Sequence, residues 1–441
     1  MAADRQAVAP VSGALVDKVE PYLQKLDTDE NLDPIIDRIG QARYVLLGEA
    51  SHGTSEYYGW RARLSERLIR EKGFSFIAVE GDWPDCYRVN RYAKGYQDAG
   101  NSAYDVLHAF ARWPTWMWAN WEVVSLIEWL KMHNASLPED KRVGFYGLDV
   151  YSLWESMAAI MNYLQENDPE GLDAAKEAFM CFEPYHEDVQ AYARATAIVS
   201  SSCEDEVVDL LKHLHHEDAD QAEDREARFN AEQNARVLAG AEEYYRTMVR
   251  GGSTSWNLRD YHMTDTIDQL MKHHGAGAKG IIWEHNTHVG DARATDMAAG
   301  GMVNVGQLTR QRHATEGVVL VGFGSYHGSV IAGESWDAPM QRMPLPEARP
   351  GSWEAVLHET GTKQALFLTE NMLDPDFLRR RGHRAVGVVY QPEYEFLGNY
   401  VPTVLPERYD AFIYIDETEG LHPLHLQTDE QQEPETFPWG V

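Results

Sequence analysis

The sequence predicts an α/β fold: a mostly parallel central sheet flanked by helices, with a large helical insertion between the third and fourth core strands. Three observations predict it. Short, nearly continuous apolar runs, each closed by a polar or glycine cluster, read as strands buried on both faces. Long amphipathic patterns separate them, as crossover connections between parallel strands require. Charged and histidine residues follow the runs, at the carboxyl ends where open α/β sheets hold their ligands.

The first strand is Ala42–Gly48 (ARYVLLG). The helix SEYYGWRARLSERLIREKG follows, in which Tyr57, Arg61, Leu64 and Leu68 share one face at i, i+4, i+7, i+11, and Arg63, Arg67 and Arg70 share another. Phe74–Val79 and Val143–Leu148 are the second and third strands. Between Ser152 and Gly275 no strand signal appears. Val237, Leu238, Ala241, Tyr244, Tyr245 and Met248 repeat at helical spacing, and Met263, Ile267, Leu270 and Met271 do so after Asn257 and Asp260, which suit a helix start. The acidic stretch from His215 to Arg228 reads as a solvated connection or helix face. Gly280–Trp283 and Val318–Gly324 are the fourth and fifth strands, with Ala385–Tyr390 and Asp410–Ile415 as further candidates. The division expected is an N-terminal extension and first helix over 1–34, then one catalytic domain over 35–441 that includes the insertion at 152–275.

Composition narrows the function. The chain has 441 residues, 44% hydrophobic and 25% charged, so disordered and collagen-like classes are excluded. A net charge of −31 repels phosphate backbones and anionic bilayers, so neither a nucleic-acid nor a membrane partner is expected. Cys86, Cys181 and Cys203 are odd in number and far apart, which points to neither a disulfide framework nor a zinc site. The expected compartment is the cytoplasm: the first 21 residues have no signal-peptide core, and no 18-residue apolar run follows.

The polar residues after the strands form the candidate site: Glu49 and His52, Glu80 and Asp82, Asp149, then Glu284, His285 and His288, then Ser325 and His327. In LLGEASHG a carboxylate lies three residues before a histidine in a tight loop, a spacing that orients an imidazole and raises its basicity. Arg61 falls on an apolar helix face, and a buried guanidinium needs carboxylates, for which Glu49 and Glu80 are the topological candidates. In WEHNTHVGD, His285 and His288 suit either chelation or hydrogen bonding to a developing oxyanion, but lack the zincin pattern. No G-x-S-x-G, Walker loop or Rossmann glycine triplet occurs. Trp113, Trp116, Trp118, Trp121 and Trp129 suggest core packing or an aromatic wall for a bulky ligand.

LLGEASHG, Arg61, AVEGDWPD, YGLDVYS, WNLRDYHM and WEHNTHVGD, in this order, resemble the erythromycin esterase family from about Ile35 to Tyr414. The resemblance implies a deep cleft, hydrolysis of a macrolide lactone by activated water, and no cofactor. It implies His52 as general base, supported by Glu49, with Arg61, Glu80, His285 and His288 around the water and substrate. On this basis Glu80 and His285 are expected to position the water, and Arg61 and His288 to stabilise the oxyanion. The expected partner is a small-molecule ester or lactone. Two rivals share the residues: a metal-dependent hydrolase with Glu49, His52, His285 and His288 as ligands, and a non-catalytic small-molecule binding protein.

Overall fold

The computed structural model describes residues 13–169, 171–185, 189–198, 202–216, 224–248 and 252–425. Its strands are β1 (Gln24–Lys25), β2 (Tyr44–Leu47), β3 (Phe76–Asp82), β4 (Gly144–Asp149), β5 (Gly280–Trp283), β6 (Val318–Ala332), β7 (Gln341–Leu345), β8 (Gln364–Leu368), β9 (Arg381–Arg384), β10 (Tyr400–Thr403) and β11 (Ala411–Thr418). The main sheet runs β1-β8-β11-β6-β2-β5-β3-β4, with β7 paired to β6. From β11 to β4 every neighbour is parallel, whereas β8 and β7 join antiparallel.

Register places the chemistry. Val321, Leu47, Trp283, Val79 and Gly147 lie in one row across five adjacent strands. Glu49, Glu80, Asp149, Glu284 and His285 all follow that row by one or two residues, at one end of the sheet. Close approach at this edge demands glycine: a Cβ on Gly48 would fall 2.1 Å from Asn286 Oδ1, and one on Gly147 2.4 Å from the Asp82 carbonyl oxygen.

Strand alternation divides the interior. Ile281 and Trp283 pack in a core with the Ser55–Lys72 and Trp121–Asn134 helices. Ile282 packs on the other face with Met263, Ile267 and Leu270 of the Ser253–His274 helix. Between β4 and β5 the described residues form helices only. Five of these, Leu153–Asn167, Leu172–Phe182, Val189–Ile198, Glu204–His216 and Arg225–Met248, build a third core of their own. No described helix is long and apolar enough to cross a membrane.

Several expectations are corrected. Cys181 and Cys203 form a disulfide, their Cα atoms 5.8 Å apart, and Cys86 is buried outside that bridge. The bridge ties the last turn of the Leu172–Phe182 helix to the residue that precedes the Glu204–His216 helix, joining positions that look remote in sequence. Ala385–Tyr390 is not a strand: Val386 and Val389 make single bridges, to Ser51 and Gly333, and the ordered pairing is β9 with β10. Asn257 and Asp260 do not start a helix, since theirs begins at Ser253 and both lie inside it. Of the acidic stretch, residues 217–223 lie outside the described residues. In its described part, Glu226 pairs with Lys94 and Asp224 with Arg91. Trp113, Trp116 and Trp118 are buried in the first core, so they fill the interior instead of walling a cleft.

Candidate active site

The loop between β2 and the Ser55–Lys72 helix carries Glu49 and His52. Its path is fixed by Val386 N–H donating to Ala50 O at 2.8 Å and Tyr58 Oη donating to His52 O at 3.2 Å. Glu49 is buried and both its oxygens are engaged: Oε1 accepts from His52 Nδ1 at 2.9 Å, and Oε2 from Arg61 Nη2 at 2.7 Å. Arg61 is 0% exposed, and its guanidinium lies 4.3 Å from the Tyr58 ring centre and 4.6 Å from that of Trp283. Arg61 thus stands behind Glu49, walled by aromatic faces.

His52 faces His285 with ring centres 4.8 Å apart. Burial pulls the His52 imidazole down, but the charge of Glu80 and the bond to Glu49 outweigh it, and its pKa is raised. Because Nδ1 gives its proton to Glu49, Nε2 is the basic nitrogen. His285 is the converse. It caps the short helix Asn286–Val289, its Nδ1 accepting from the Thr287 N–H at 3.3 Å, with Thr287 Oγ1 2.8 Å away. Burial, then the neighbouring His52, hold its pKa well below the ordinary value. A neutral ring that accepts at Nδ1 carries its proton on Nε2, and this nitrogen makes no hydrogen bond of ordinary geometry among the described residues, the Ala50 carbonyl being the backbone group that acts on the ring.

Glu80 does not pair with Arg61. Its Oε1 accepts from Arg259 Nη2 at 2.7 Å and its Oε2 from the His285 backbone N–H at 2.8 Å. Its pKa lies far below the carboxylate norm: burial opposes this, and His288, Arg259 and His52 overcome it. His288 also has both nitrogens occupied, Nδ1 against Asp260 Oδ1 at 2.9 Å and Nε2 against Arg259 Nη1 at 3.0 Å, and its ring stacks on Trp256. Arg259 grips Asp149 at 2.9 and 2.6 Å as well.

Glu284 is fully buried, and neither oxygen finds a hydrogen-bond partner among the described residues. Burial and then the charge of Glu80 push its pKa well above the ordinary value. Three other strand-end residues belong elsewhere: Asp82 pairs with Arg112, Ser325 accepts from Tyr57 Oη, and half-buried His327 pairs with Glu417 along the β6–β11 ladder.

Sequence reasoning missed Arg259, Asp260 and Thr287. The signal for the first two was present: in the Ser253–His274 helix, Trp256, Arg259, Asp260 and Met263 repeat at i, i+3, i+4, i+7, an apolar stripe interrupted by adjacent opposite charges. As for a metal, no group of three histidine, cysteine or acidic residues suited to an ion occurs among the described residues. Of the four residues named as ligands in the metal reading, Glu49 and His288 have their side-chain oxygen and nitrogen atoms engaged by His52, Arg61, Asp260 and Arg259.

A family model described as erythromycin esterase matches residues 69–418. The match begins beyond Glu49, His52 and Arg61, which the fold brings to the matched residues. Erythromycin esterase type II of Escherichia coli is 25% identical over 158 residues, 34% of this chain and 35% of that protein, so about a third of that relative is spanned. Among solved structures, a succinoglycan biosynthesis protein superposes with a TM-score of 0.75 at 21% identity, covering 93% of this chain and 98% of that one. A Bacillus cereus protein gives 0.76 at 19% identity, with 93% and 98% covered. An erythromycin esterase mutant in its open conformation gives 0.65 at 17% identity, with 93% and 97% covered. At these identities the likeness establishes a shared fold.

Proposed function

The chain belongs to the erythromycin esterase family, and from that premise we propose that this hydrolase cleaves an ester or macrolide lactone with water activated by His52. The observation that carries the reading is the pair of facing imidazoles with opposite Nε2 states. His52, bonded through Nδ1 to Glu49, offers an acceptor, and His285, bonded through Nδ1 to Thr287, offers a donor.

In this reading His52 Nε2 takes a proton from water as the water oxygen bonds to the carbonyl carbon. The oxyanion that forms accepts from His285 Nε2–H, a neutral donor already in place. Collapse breaks the carbon–oxygen ester bond, and the His52 imidazolium returns its proton to the leaving alkoxide. Glu49 holds the tautomer and stabilises the imidazolium. Arg61 keeps Glu49 in place, a role its burial supports better than direct contact with substrate. His288 and Glu80, both fully bonded, support the frame. Residues 35–441 act as one catalytic unit, in which the insertion selects the substrate.

The test is turnover of erythromycin by chelator-treated protein, followed by mass spectrometry as gain of one water, with His52→Ala alongside. The expected result is product from the wild type and a drop in kcat of about 10² to 10⁴ in the variant. Wild-type turnover by His52→Ala would refute the assignment. Activity lost to chelator and restored by zinc or manganese would give the reaction to a metal instead.

A further inference from the structure

Arg259 is the most connected charged group of the site and has no role in the reaction above. Its guanidinium, 3% exposed, spends four donor contacts on three elements: two on Asp149 at the end of β4, one on Glu80 in β3, and one on His288 in the turn after β5. Fastening a helix to a sheet needs one carboxylate. Here one cation sits between two carboxylates and also reaches an imidazole.

We propose that Arg259 is a positioning residue that keeps the facing His52 and His285 rings in their base and donor states. The proposal rests on the reading of His52 as base. The geometry defines two arms. A guanidinium only donates, so Nη1–H must point at His288 Nε2, which sends the His288 proton to Nδ1 and on to Asp260 Oδ1. In the other arm, Nη2 holds Glu80 Oε1 while Glu80 Oε2 holds the His285 backbone N–H. The residue that carries the oxyanion donor is therefore tied at its amide to Glu80 and, three residues on, at His288 to Arg259 itself. A lysine, with three donors from a single point, cannot span Asp149, Glu80 and His288 together.

Charge gives the second consequence. His52 is faced by Glu49 on its own loop, with Arg61 behind it from the Ser55–Lys72 helix. Glu80 faces it from β3, His285 from the turn after β5, and Arg259 from the Ser253–His274 helix. Glu49 and Glu80 favour the imidazolium, and Arg259 opposes it. Without that cation the charge of Glu80 acts on His52 with less to offset it, and less of the enzyme holds a free base at neutral pH.

The test compares wild type, Arg259→Lys and Arg259→Gln as full-length chains. His52 is titrated by NMR with labelled histidine, its resonance identified by its loss in His52→Gln. In parallel, kcat and KM are measured on erythromycin and melting is followed by circular dichroism. Arg259→Gln is expected to move the His52 midpoint to higher pH. Arg259→Lys keeps the charge and is expected to leave the midpoint in place while kcat falls about 10²-fold at nearly constant KM, since a displacement near 1 Å costs about that much. A folded Arg259→Gln whose His52 titrates as in wild type would make Arg259 a mere fastener and overturn the proposal. If Arg259→Gln does not fold, a folded Arg259→Lys with wild-type kcat overturns it equally. Failure of the underlying reading looks different: His52→Gln itself would keep its turnover.

Discussion

Replacing Glu49 by Gln tests the heart of the site, because the two partners of this carboxylate make opposite demands on an amide. Arg61 only donates, so it claims the amide oxygen at the 2.7 Å contact. The amide N–H₂ then faces His52 Nδ1, at the present 2.9 Å contact, and forces that nitrogen to accept. The ring proton moves to Nε2 and the base is lost. Losing a base through the wrong tautomer costs about 10² to 10⁴ in kcat, which is about 3 to 5 kcal/mol of transition-state stabilisation. Stability falls less. Breaking a buried ion pair costs about 3 to 5 kcal/mol, but a bond to the guanidinium worth about 1.5 to 3 kcal/mol remains, and the Tyr58 and Trp283 faces stay in place. A net loss of about 2 kcal/mol is expected. Chemical denaturation gives the stability and steady-state kinetics the turnover. A folded Glu49→Gln enzyme with wild-type kcat would refute both the tautomer argument and the place of Glu49 in the mechanism.

The remaining predictions concern pH and the insertion. Since the base must be neutral and the His52 pKa is raised, kcat/KM is expected to climb with pH and to reach its plateau above the ordinary histidine value; a pH–rate profile with its acid limb below that value contradicts this. Glu284 has its folded pKa raised, so its contribution to stability is full below the ordinary carboxylate value and declines as pH rises, by up to about 1.4 kcal/mol per pH unit. Glu284→Gln should therefore flatten the fall in denaturation midpoint from mildly acidic to neutral pH, and an unchanged slope would count against a raised Glu284 pKa. The Cys181–Cys203 bridge closes a loop with a sequence separation of 22, worth about 3 kcal/mol on chain-entropy grounds. Cys203→Ala should lose most of that in thermal melts while the His52 titration stays put.

What the sequence determined is the local part. Strand runs were legible because residues buried on both faces must be apolar throughout, and β2, β3, β4, β5, β6 and β11 fall on them, with boundaries shifted by a few residues or, in β6, extended. Arg61 was legible as buried because it interrupts an apolar helix face, with Glu49 and Glu80 as equal candidates at adjacent strand ends, and the fold gives it Glu49. Tertiary structure decided the partnerships. Glu80 belongs to Arg259, 179 residues away, because β3, β4 and the Ser253–His274 helix meet only after the sheet is assembled. Likewise His285 and His288 look equivalent as a spaced pair, yet among the described residues both ring nitrogens of His288 are hydrogen-bonded and Nε2 of His285 is not. Hydrophobic periodicity is a property of neighbours in the chain and survives into the fold. Which charges meet depends on sheet order and crossover path, and no short-range pattern records either.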